Sequence, residues 1–223
     1  MEEDVHEYAG EQVDVTWDGK RCIHYRACVE GAPEVFDTDR RPWVLPDGTD
    51  DADHLARVVE ACPTGALHYD RHDGETESVP EVNTVDVAAG GPLYVRGDVT
   101  VEDEDGEVLL TDTRLALCRC GASGNKPLCD GAHGDLGFDA EGTVPMDEEG
   151  ESDDDGDWTG GGGLTVVPTA DGPVLLRGEY ELRGQADGSA SDETGGAMCR
   201  CGASGSKPFC DGSHGEVGFE SDD

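Results

Sequence analysis

Aromatic side chains, basic side chains and long apolar runs are all scarce in this sequence. Its 223 residues are 5% aromatic and 35% hydrophobic overall, while 33 are glycine. This composition argues against one large core and favours small, loop-rich modules. No apolar run approaches the ~20 residues that span a bilayer, and the first residues do not resemble a secretory signal. We therefore expect a cytoplasmic protein without a membrane partner.

Positively charged residues are also scarce. Only 15 Lys and Arg residues stand against 52 Asp and Glu, which gives a formal net charge of −37. Phosphate binding requires the opposite sign, so we expect no nucleic-acid partner. Self-repulsion would strain a compact state in dilute buffer, but molar salt shortens the Debye length to ~3 Å and screens it. The charge therefore predicts a high-salt cytoplasm.

Cysteine, by contrast, occurs in a regular pattern along the chain. The nine cysteines fall into three groups of three. An odd total cannot be used up in disulfides, whereas triplets suit metal sites that staple modules with small cores. The groups are Cys22, Cys28 and Cys62; Cys118, Cys120 and Cys129; and Cys199, Cys201 and Cys210.

The last two groups belong to a tandem repeat. An ungapped shift of 81 residues, from Cys118 to Cys199, superimposes one cysteine loop and the β-type sequence before it on the other. We expect one module over residues 83–140 and a second over 164–223. Between them, residues 141–163 are acidic and glycine-rich, which predicts a flexible linker.

The spacing within each loop suits a small metal cluster. Cys118 and Cys120 are close enough in sequence to reach one iron, and Cys129 with His133 can then reach another. Asp130, like its counterpart in the second copy, is expected to cap the first turn of a helix that places residues four apart on one face. The same spacing recurs at Cys199, Cys201, Cys210 and His214.

Glycines and lysines recur in the loops as well. Gly121, Gly124 and Gly131 are expected to let the backbone approach a cluster and to leave N–H groups for its sulfides. Two of the chain's three lysines, Lys126 and Lys207, occupy equivalent positions. They either tune the potential of a cluster through their charge or only solvate a turn.

Both loops resemble the CDGSH, or NEET, iron–sulfur family, whose loop reads C-x-C-x2-S/T-x3-P-x-C-D-G-S/A/T-H. The resemblance implies that three cysteines and one histidine hold a 2Fe-2S cluster in each loop. It also implies two motifs around a pseudo-twofold axis, and hence a monomer with an internal pseudo-dimer. A Cys3His zinc site remains the alternative, although zinc usually receives C-x2-4-C knuckles. The implied ligands are Cys118, Cys120, Cys129 and His133 in the first loop, and Cys199, Cys201, Cys210 and His214 in the second.

Residues 1–72 differ in character and form a third module. Alternation and turn signals predict strands over residues 13–17, 42–45 and 67–69. Apolar residues at helical spacing predict a short amphipathic helix over 51–62 that delivers Cys62. Together with the repeats, this gives an α+β chain of small, metal-stapled modules.

The pattern Cys22-x5-Cys28 with a distant Cys62-Pro63 resembles single-cluster bacterial-type ferredoxins, in their divergent mono-cluster branch. Tyr25 stands where ordinary ferredoxins carry a further cysteine. The resemblance therefore implies a 3Fe-4S cluster, or a 4Fe-4S cluster with one non-cysteine ligand. His24 is a candidate for that ligand, and a hydrogen-bonded or solvated histidine is the alternative.

Three clusters and no recognisable substrate chemistry predict a protein without enzymatic activity that transfers single electrons. A 2Fe-2S cluster donor or a redox or pH sensor is the first alternative, and an accessory subunit of an oxidoreductase is the second. The expected partner is a redox protein or an iron–sulfur protein that lacks its cluster.

Overall fold

The computed structural model describes residues 4–145 and 159–221, and it divides the chain into two compact units. The first unit covers Glu2–Ser78 and the second Val79–Asp223. Both contain strands and short helices, so the described fold is rich in β-structure with few helices. Within the described ranges, no helix is long and apolar enough to cross a membrane.

A three-stranded antiparallel sheet is the framework of the first unit. Its strands are β1 (Val5–Tyr8), β2 (Val13–Asp18) and β3 (Leu67–Arg71), in the order β1-β2-β3. Val13 and Val15 of β2 are buried while the residues between and after them are partly exposed, as the two-residue period of a strand requires. The strands predicted over 13–17 and 67–69 are therefore present.

Two helices cover this sheet's core. They are α1 (Ala27–Gly31) and α2 (Ala52–Glu60), and Asp51 caps α2 by accepting a hydrogen bond from His54 N at 2.8 Å. The amphipathic helix predicted over 51–62 is thus present but shorter. It ends before Cys62, which lies in the turn after it.

The strand predicted over residues 42–45 is wrong. Only Val44 pairs, in an isolated bridge with Phe36, and a single 3-10 turn comes after it. Pro42 begins the segment and Pro46 comes directly after it, and proline has no N–H to donate to a strand ladder. The pairing therefore cannot extend in either direction.

Two long antiparallel hairpins form the framework of the second unit. β5 (Leu93–Glu102) pairs with β6 (Val108–Leu117), and β8 (Val174–Gly184) pairs with β9 (Ala190–Met198). Each hairpin ends at the start of a cysteine loop. The short helices α3 (Ala132–Leu136) and α4 (Ser213–Val217) come after the two loops.

Two short strands, β4 (Thr84–Val87) and β7 (Gly163–Pro168), share the space between β5 and β8. β4 runs antiparallel to the first part of β5 and parallel to the last part of β8. β7 runs parallel to the second part of β5 and antiparallel to the first part of β8. Each sequence repeat therefore lends a strand to the other, and both belong to one sheet.

The core of the second unit is built from both repeats. Apolar side chains, most of them on the six strands, are almost completely buried, and partly buried Leu110 and Phe209 pack against them. The buried set is Val85, Val87, Leu93, Val95, Val99, Val101, Leu115, Leu117, Leu128, Val144, Leu164, Val166, Val174, Leu176, Tyr180, Leu182 and Met198.

Most of the linker predicted over residues 141–163 lies outside the described residues. Its described ends are part of the fold. Val144 is 3% exposed within the core, and Gly142 O accepts a hydrogen bond from Ala186 N at 2.9 Å. The sequence had suggested little here to bury, because one valine among acids and glycines gives no periodic signal.

Candidate metal centres

Each cysteine loop is closed by backbone hydrogen bonds that continue its hairpin. In the first loop, Cys118 N donates to Pro127 O and Cys129 N donates to Ala116 O, both at 2.8 Å. The corresponding two bonds of the second loop have the same length. Residues far apart along the loop are thereby fixed at its base, and all nine cysteines remain thiols.

The four predicted side chains of each loop meet in two pairs. In the first loop, Cys118 Sγ lies 3.9 Å from Cys120 Sγ, and Cys129 Sγ lies 3.3 Å from His133 Nδ1. In the second loop the matching distances are 3.8 and 3.3 Å, for Cys199 with Cys201 and for Cys210 with His214. The structure thus brings the eight residues together as four donor pairs, two at each loop.

Asp130 organises the turn before α3, though not as the sequence suggested. The N-cap position belongs to Gly131, at φ 92°, while Asp130 accepts hydrogen bonds from Ala132 N at 3.0 Å and Gly124 N at 2.7 Å. The carboxylate therefore supports the first helical N–H from one residue before the cap. Gly124 N–H is consumed by this contact, so the expectation that it stays available to a cluster is wrong.

The other backbone N–H groups of the first loop do reach sulfur. A hydrogen bond from the Cys120 side chain, together with N–H groups of Ser123 and Gly121, lowers the pKa of Cys118 to about 6 despite burial. The same contact with Cys118, together with burial, raises the pKa of Cys120. The loop is arranged to stabilise a thiolate at Cys118.

Burial has the largest effect on the pKa values of Cys129 and His133, the second donor pair of the first loop. It raises the pKa of the Cys129 thiol to about 12, against a smaller lowering by the N–H of Gly131. Burial also lowers the pKa of His133, which favours the neutral imidazole. A metal ion needs the deprotonated sulfur and the neutral ring, so metal binding at this pair would displace the thiol proton.

The two loops are not equally covered. Cys118, Cys120 and Cys129 are 1%, 8% and 3% exposed. In the second loop only one cysteine is fully buried, Cys199, whose pKa burial raises; Cys201 and Cys210 are partly exposed. The first site is therefore the drier of the two.

Arg119 is a functional candidate that the sequence reasoning missed. It is 1% exposed, donates from Nε to Gly91 O at 3.0 Å and from Nη2 to Ala88 O, and stacks 5.5 Å from the Phe138 ring centre. Burial lowers its pKa to about 10, while the nearby thiols of both loops favour its charge. It places a buried cation beside the cysteines.

Arg200 repeats this arrangement in the second loop. It is also 1% exposed, donates from Nε to Gly172 O at 3.1 Å, and lies 5.4 Å from the Phe219 ring centre. The sequence carried one signal for these two arginines, because both copies of the loop read Cys-Arg-Cys.

The paired lysines turn back on their own loops. Lys126 Nζ donates to Ser123 O at 2.8 Å, and Lys207 Nζ donates to Ser204 O at 2.5 Å. Lys126 also lies 5.9 Å from the ring centre of Phe219, in the other repeat. Both ammonium groups are thus held at the loops, while their influence on a potential remains a proposal.

The third cysteine group lines a cavity of about 430 Å³ in the first unit. Cys22 comes after β2, Cys28 lies in α1, and Cys62 comes after α2, so three separate segments bring them to one cavity. Burial raises the pKa of Cys28 to about 11. His24 also lines the cavity, with its Nδ1 3.9 Å from Cys22 Sγ.

The walls of this cavity suit an electron-rich inorganic group. Trp17 and Trp43 both line it, and their buried indole N–H groups have no hydrogen-bond partner among the described residues. Such donors are what the sulfides and thiolates of a cluster accept. Across the described ranges, His, Cys, Asp and Glu side chains do not gather in threes closely enough to hold a single metal ion.

Comparisons with known proteins agree with the division of the chain into two units. A family model described as "Divergent 4Fe-4S mono-cluster" matches residues 8–72, and one described as "Iron-binding zinc finger CDGSH type" matches residues 90–134 and 171–215. The uncharacterized protein YjdI of Escherichia coli strain K12 is 42% identical over 65 residues, which are 29% of this chain and 83% of that protein. YjdI of Escherichia coli O157:H7 matches equally. No solved structure matches the chain significantly.

Proposed function

Because the chain belongs to the divergent 4Fe-4S mono-cluster family through its first unit and carries two CDGSH-type iron-binding domains in its second, we propose that it transfers single electrons between protein partners. That it is an iron–sulfur protein is established by the family matches. The observation that carries the proposal further is the identical pairing of donors in the two loops, thiol with thiol and thiol with imidazole.

This pairing supports one 2Fe-2S cluster in each loop. Two irons bridged by sulfide need two protein ligands each, and Cys118 with Cys120, then Cys129 with His133, supply them. A bound cluster of this kind would take up and release one electron. The second loop supplies the same set, and the exchange of strands between the repeats supports a pseudo-twofold relation between the sites.

The first unit supports a 3Fe-4S or 4Fe-4S cluster held by Cys22, Cys28 and Cys62. Its cavity is lined by all three thiols, and the indole N–H groups in its walls are suited to sulfur acceptors. Three clusters in one chain are more than a single structural staple requires. We infer a carrier with no substrate of its own.

The protein around each loop performs three tasks in this function. The hairpin base fixes the ligands, the buried surroundings exclude water, and Arg119 or Arg200 holds a positive charge beside the thiols. Such a charge favours the reduced, more negative state of a cluster. Lys126 and Lys207 would add to this effect. If the midpoint potentials stay unchanged after both are replaced with Gln, these two lysines do not tune them.

The net charge of −37 supports a high-salt cytoplasm as the working environment, with a redox protein as partner. A competing function is donation of 2Fe-2S clusters to an acceptor protein that lacks its own. Both functions require the same ligands. They differ in whether iron stays with this chain during turnover.

Anaerobically purified full-length protein provides the test. We expect iron and acid-labile sulfide in cluster stoichiometry, EPR signals on reduction, and reversible potentials that survive repeated cycles with the iron content unchanged. The double variant Cys129→Ser, Cys210→Ser should lose the loop signals and keep the others. Zinc in place of iron would contradict the proposal, and movement of iron to an acceptor protein during cycling would favour donation.

A further inference from the structure

The three cysteines at the cavity of the first unit are one ligand short of the four that a 4Fe-4S cluster takes. Each iron of a 4Fe-4S cluster takes one ligand from outside the cluster, and Cys22, Cys28 and Cys62 supply three. A fourth donor must come from another lining residue or from solvent. The need for this donor rests on the proposed function, since it arises from the cluster proposed for this cavity.

Most of the other polar residues that line the cavity are poor candidates. Tyr25 occupies the sequence position of the missing cysteine, but its phenol would have to lose a proton before the oxygen could bind iron. Thr64 is buried, with its hydroxyl engaged by a backbone N–H at 3.2 Å and a cysteine sulfur at 3.5 Å. Thr38 offers only a neutral hydroxyl, and Arg26 and Arg41 are cations without a lone pair to donate.

His24 is exposed, as Tyr25 is, but it differs from these residues in chemistry and in its contact with a cysteine of the cavity. Imidazole nitrogen is a good ligand for iron. The backbone at His24 has φ 58°, in the left-handed region, and its ring lies with Nδ1 3.9 Å from Cys22 Sγ. Its other nitrogen, Nε2, has no hydrogen-bond partner among residues 4–145 and 159–221.

One of the two tautomers of His24 gives its ring nitrogens two distinct uses. When Nδ1 carries the proton, that proton faces the sulfur of Cys22, and the lone pair on Nε2 is available to a metal. Metal-binding histidines commonly use their second ring nitrogen in a hydrogen bond that fixes the ring in this way. We infer that His24 supplies the fourth ligand of a 4Fe-4S cluster in this cavity, through Nε2.

Iron content tests this inference in the otherwise native chain. His24→Ala should lose one iron from the cavity cluster on mild oxidation and develop a 3Fe-4S EPR signal, whereas His24→Cys should keep four irons. Tyr25→Phe is the matched control for the neighbouring candidate, and His72→Ala controls for loss of an exposed histidine outside the cavity. Both controls should behave like the parent chain.

Nitrogen hyperfine spectroscopy tests the bond itself. The loop histidines would contribute their own couplings, so the experiment uses full-length protein carrying His133→Cys and His214→Cys. A strong coupling on the reduced 4Fe-4S signal should remain in this parent and vanish in its His24→Ala and His24→Cys derivatives. If His133→Cys and His214→Cys prevent folding, the iron counts of the His24 variants made in the otherwise native chain still test the inference.

The outcomes separate the assignment of His24 from the proposed function. A stable 4Fe-4S cluster in His24→Ala, or a nitrogen coupling unchanged by its loss, overturns the assignment of His24 and leaves the proposed function standing. A native cavity that holds only a 3Fe-4S cluster does the same. A native cavity with no iron at all overturns the assignment together with the cluster proposed there.

Discussion

Gly121 of the first loop packs against the backbone carbonyl of Cys201 in the second. A Cβ atom at Gly121 would lie 2.8 Å from that oxygen, and a Cβ at Gly202 would lie 2.8 Å from the carbonyl oxygen of Cys120. The two loops therefore touch reciprocally at their ligand-bearing backbones. Gly121 and Gly202 also adopt φ angles of 83° and 80°, which L side chains rarely take.

Replacing Gly121 with Ala should weaken both loops at once. The added methyl meets backbone, which cannot move as a flexible side chain can, and the left-handed φ adds strain. We expect a loss of about 1–3 kcal/mol in the free energy of unfolding, measured by denaturant titration. Faster release of iron from both loops should accompany it.

Gly134→Ala is the matched control for that substitution. Nothing lies within 4 Å of a Cβ at Gly134, and the residue lies in α3, where alanine is favoured over glycine. This variant should be as stable as the parent chain or more so. Equal losses in the two variants would contradict the role given to the loop contact.

Arg119→Gln should lower both stability and the midpoint potential of the first-loop cluster. Two buried carbonyl groups, of Gly91 and Ala88, lose their charged donor, which should cost about 3 kcal/mol of unfolding free energy. The reduced cluster also loses a neighbouring positive charge. Potentiometric titration with optical detection measures the second effect.

Arg119→Lys separates charge from geometry. Lysine keeps the cation but cannot donate in the fixed fork of a guanidinium, so it should lose stability while its potential stays near that of the parent. If both variants shift the potential equally, the charge of Arg119 has no special part in tuning it.

A chelator should remove iron from the second loop before the first. Cys201 and Cys210 are partly exposed, whereas all three cysteines of the first loop are at most 8% exposed. We expect two phases in the decay of the visible absorbance that the two loop clusters contribute, separated severalfold in rate. His133→Cys and His214→Cys each change the spectrum of one cluster and so identify the phases; a faster first loop would contradict the prediction.

Salt should stabilise the folded chain. At molar salt the Debye length is ~3 Å, so the repulsion that accompanies a charge of −37 is largely screened. Raising KCl from dilute to molar concentration should add at least ~1 kcal/mol, a rise of about 2–4 °C in Tm for a chain of this size. A calorimetric Tm that does not respond would show that the charges are already well separated.

His72 should titrate above the ordinary histidine value. Its Nε2 lies 3.2 Å from Asp14 Oδ2, and this hydrogen bond, with one to Glu11 O, raises the pKa of His72. A raised folded-state pKa means that the contribution to stability is complete below ~6.5 and is lost as pH rises through the folded value. NMR titration should show Asp14→Asn moving the pKa down further than Asp70→Asn, since Asp70 acts only at a distance.

Local features of the sites were predictable because the residues that make them are close in sequence. The spacing Cys129 to His133 places both on one short turn, and the structure pairs them at 3.3 Å. The amphipathic helix before Cys62 was readable for the same reason. Its periodic apolar face and its capping Asp51 lie within one segment.

Features that depend on distant contacts were not predictable in this way. The burial of Arg119 depends on carbonyl groups of residues 88 and 91, before β5, and nothing at Arg119 itself indicates them. The strand expected over 42–45 failed because no partner strand extends along it. The sharing of strands between repeats is invisible to a comparison that only superimposes one repeat on the other.

That sharing has a consequence for how the second unit forms during synthesis. The partners of β4 include the end of β8, so the first repeat emerges from the ribosome long before its sheet can be completed. Non-local pairing of this kind is slow to form and exposes unpaired edges meanwhile. We therefore expect the first cysteine loop to become ordered only after β8 of the second repeat has been translated, and the insertion of its metal to follow that step.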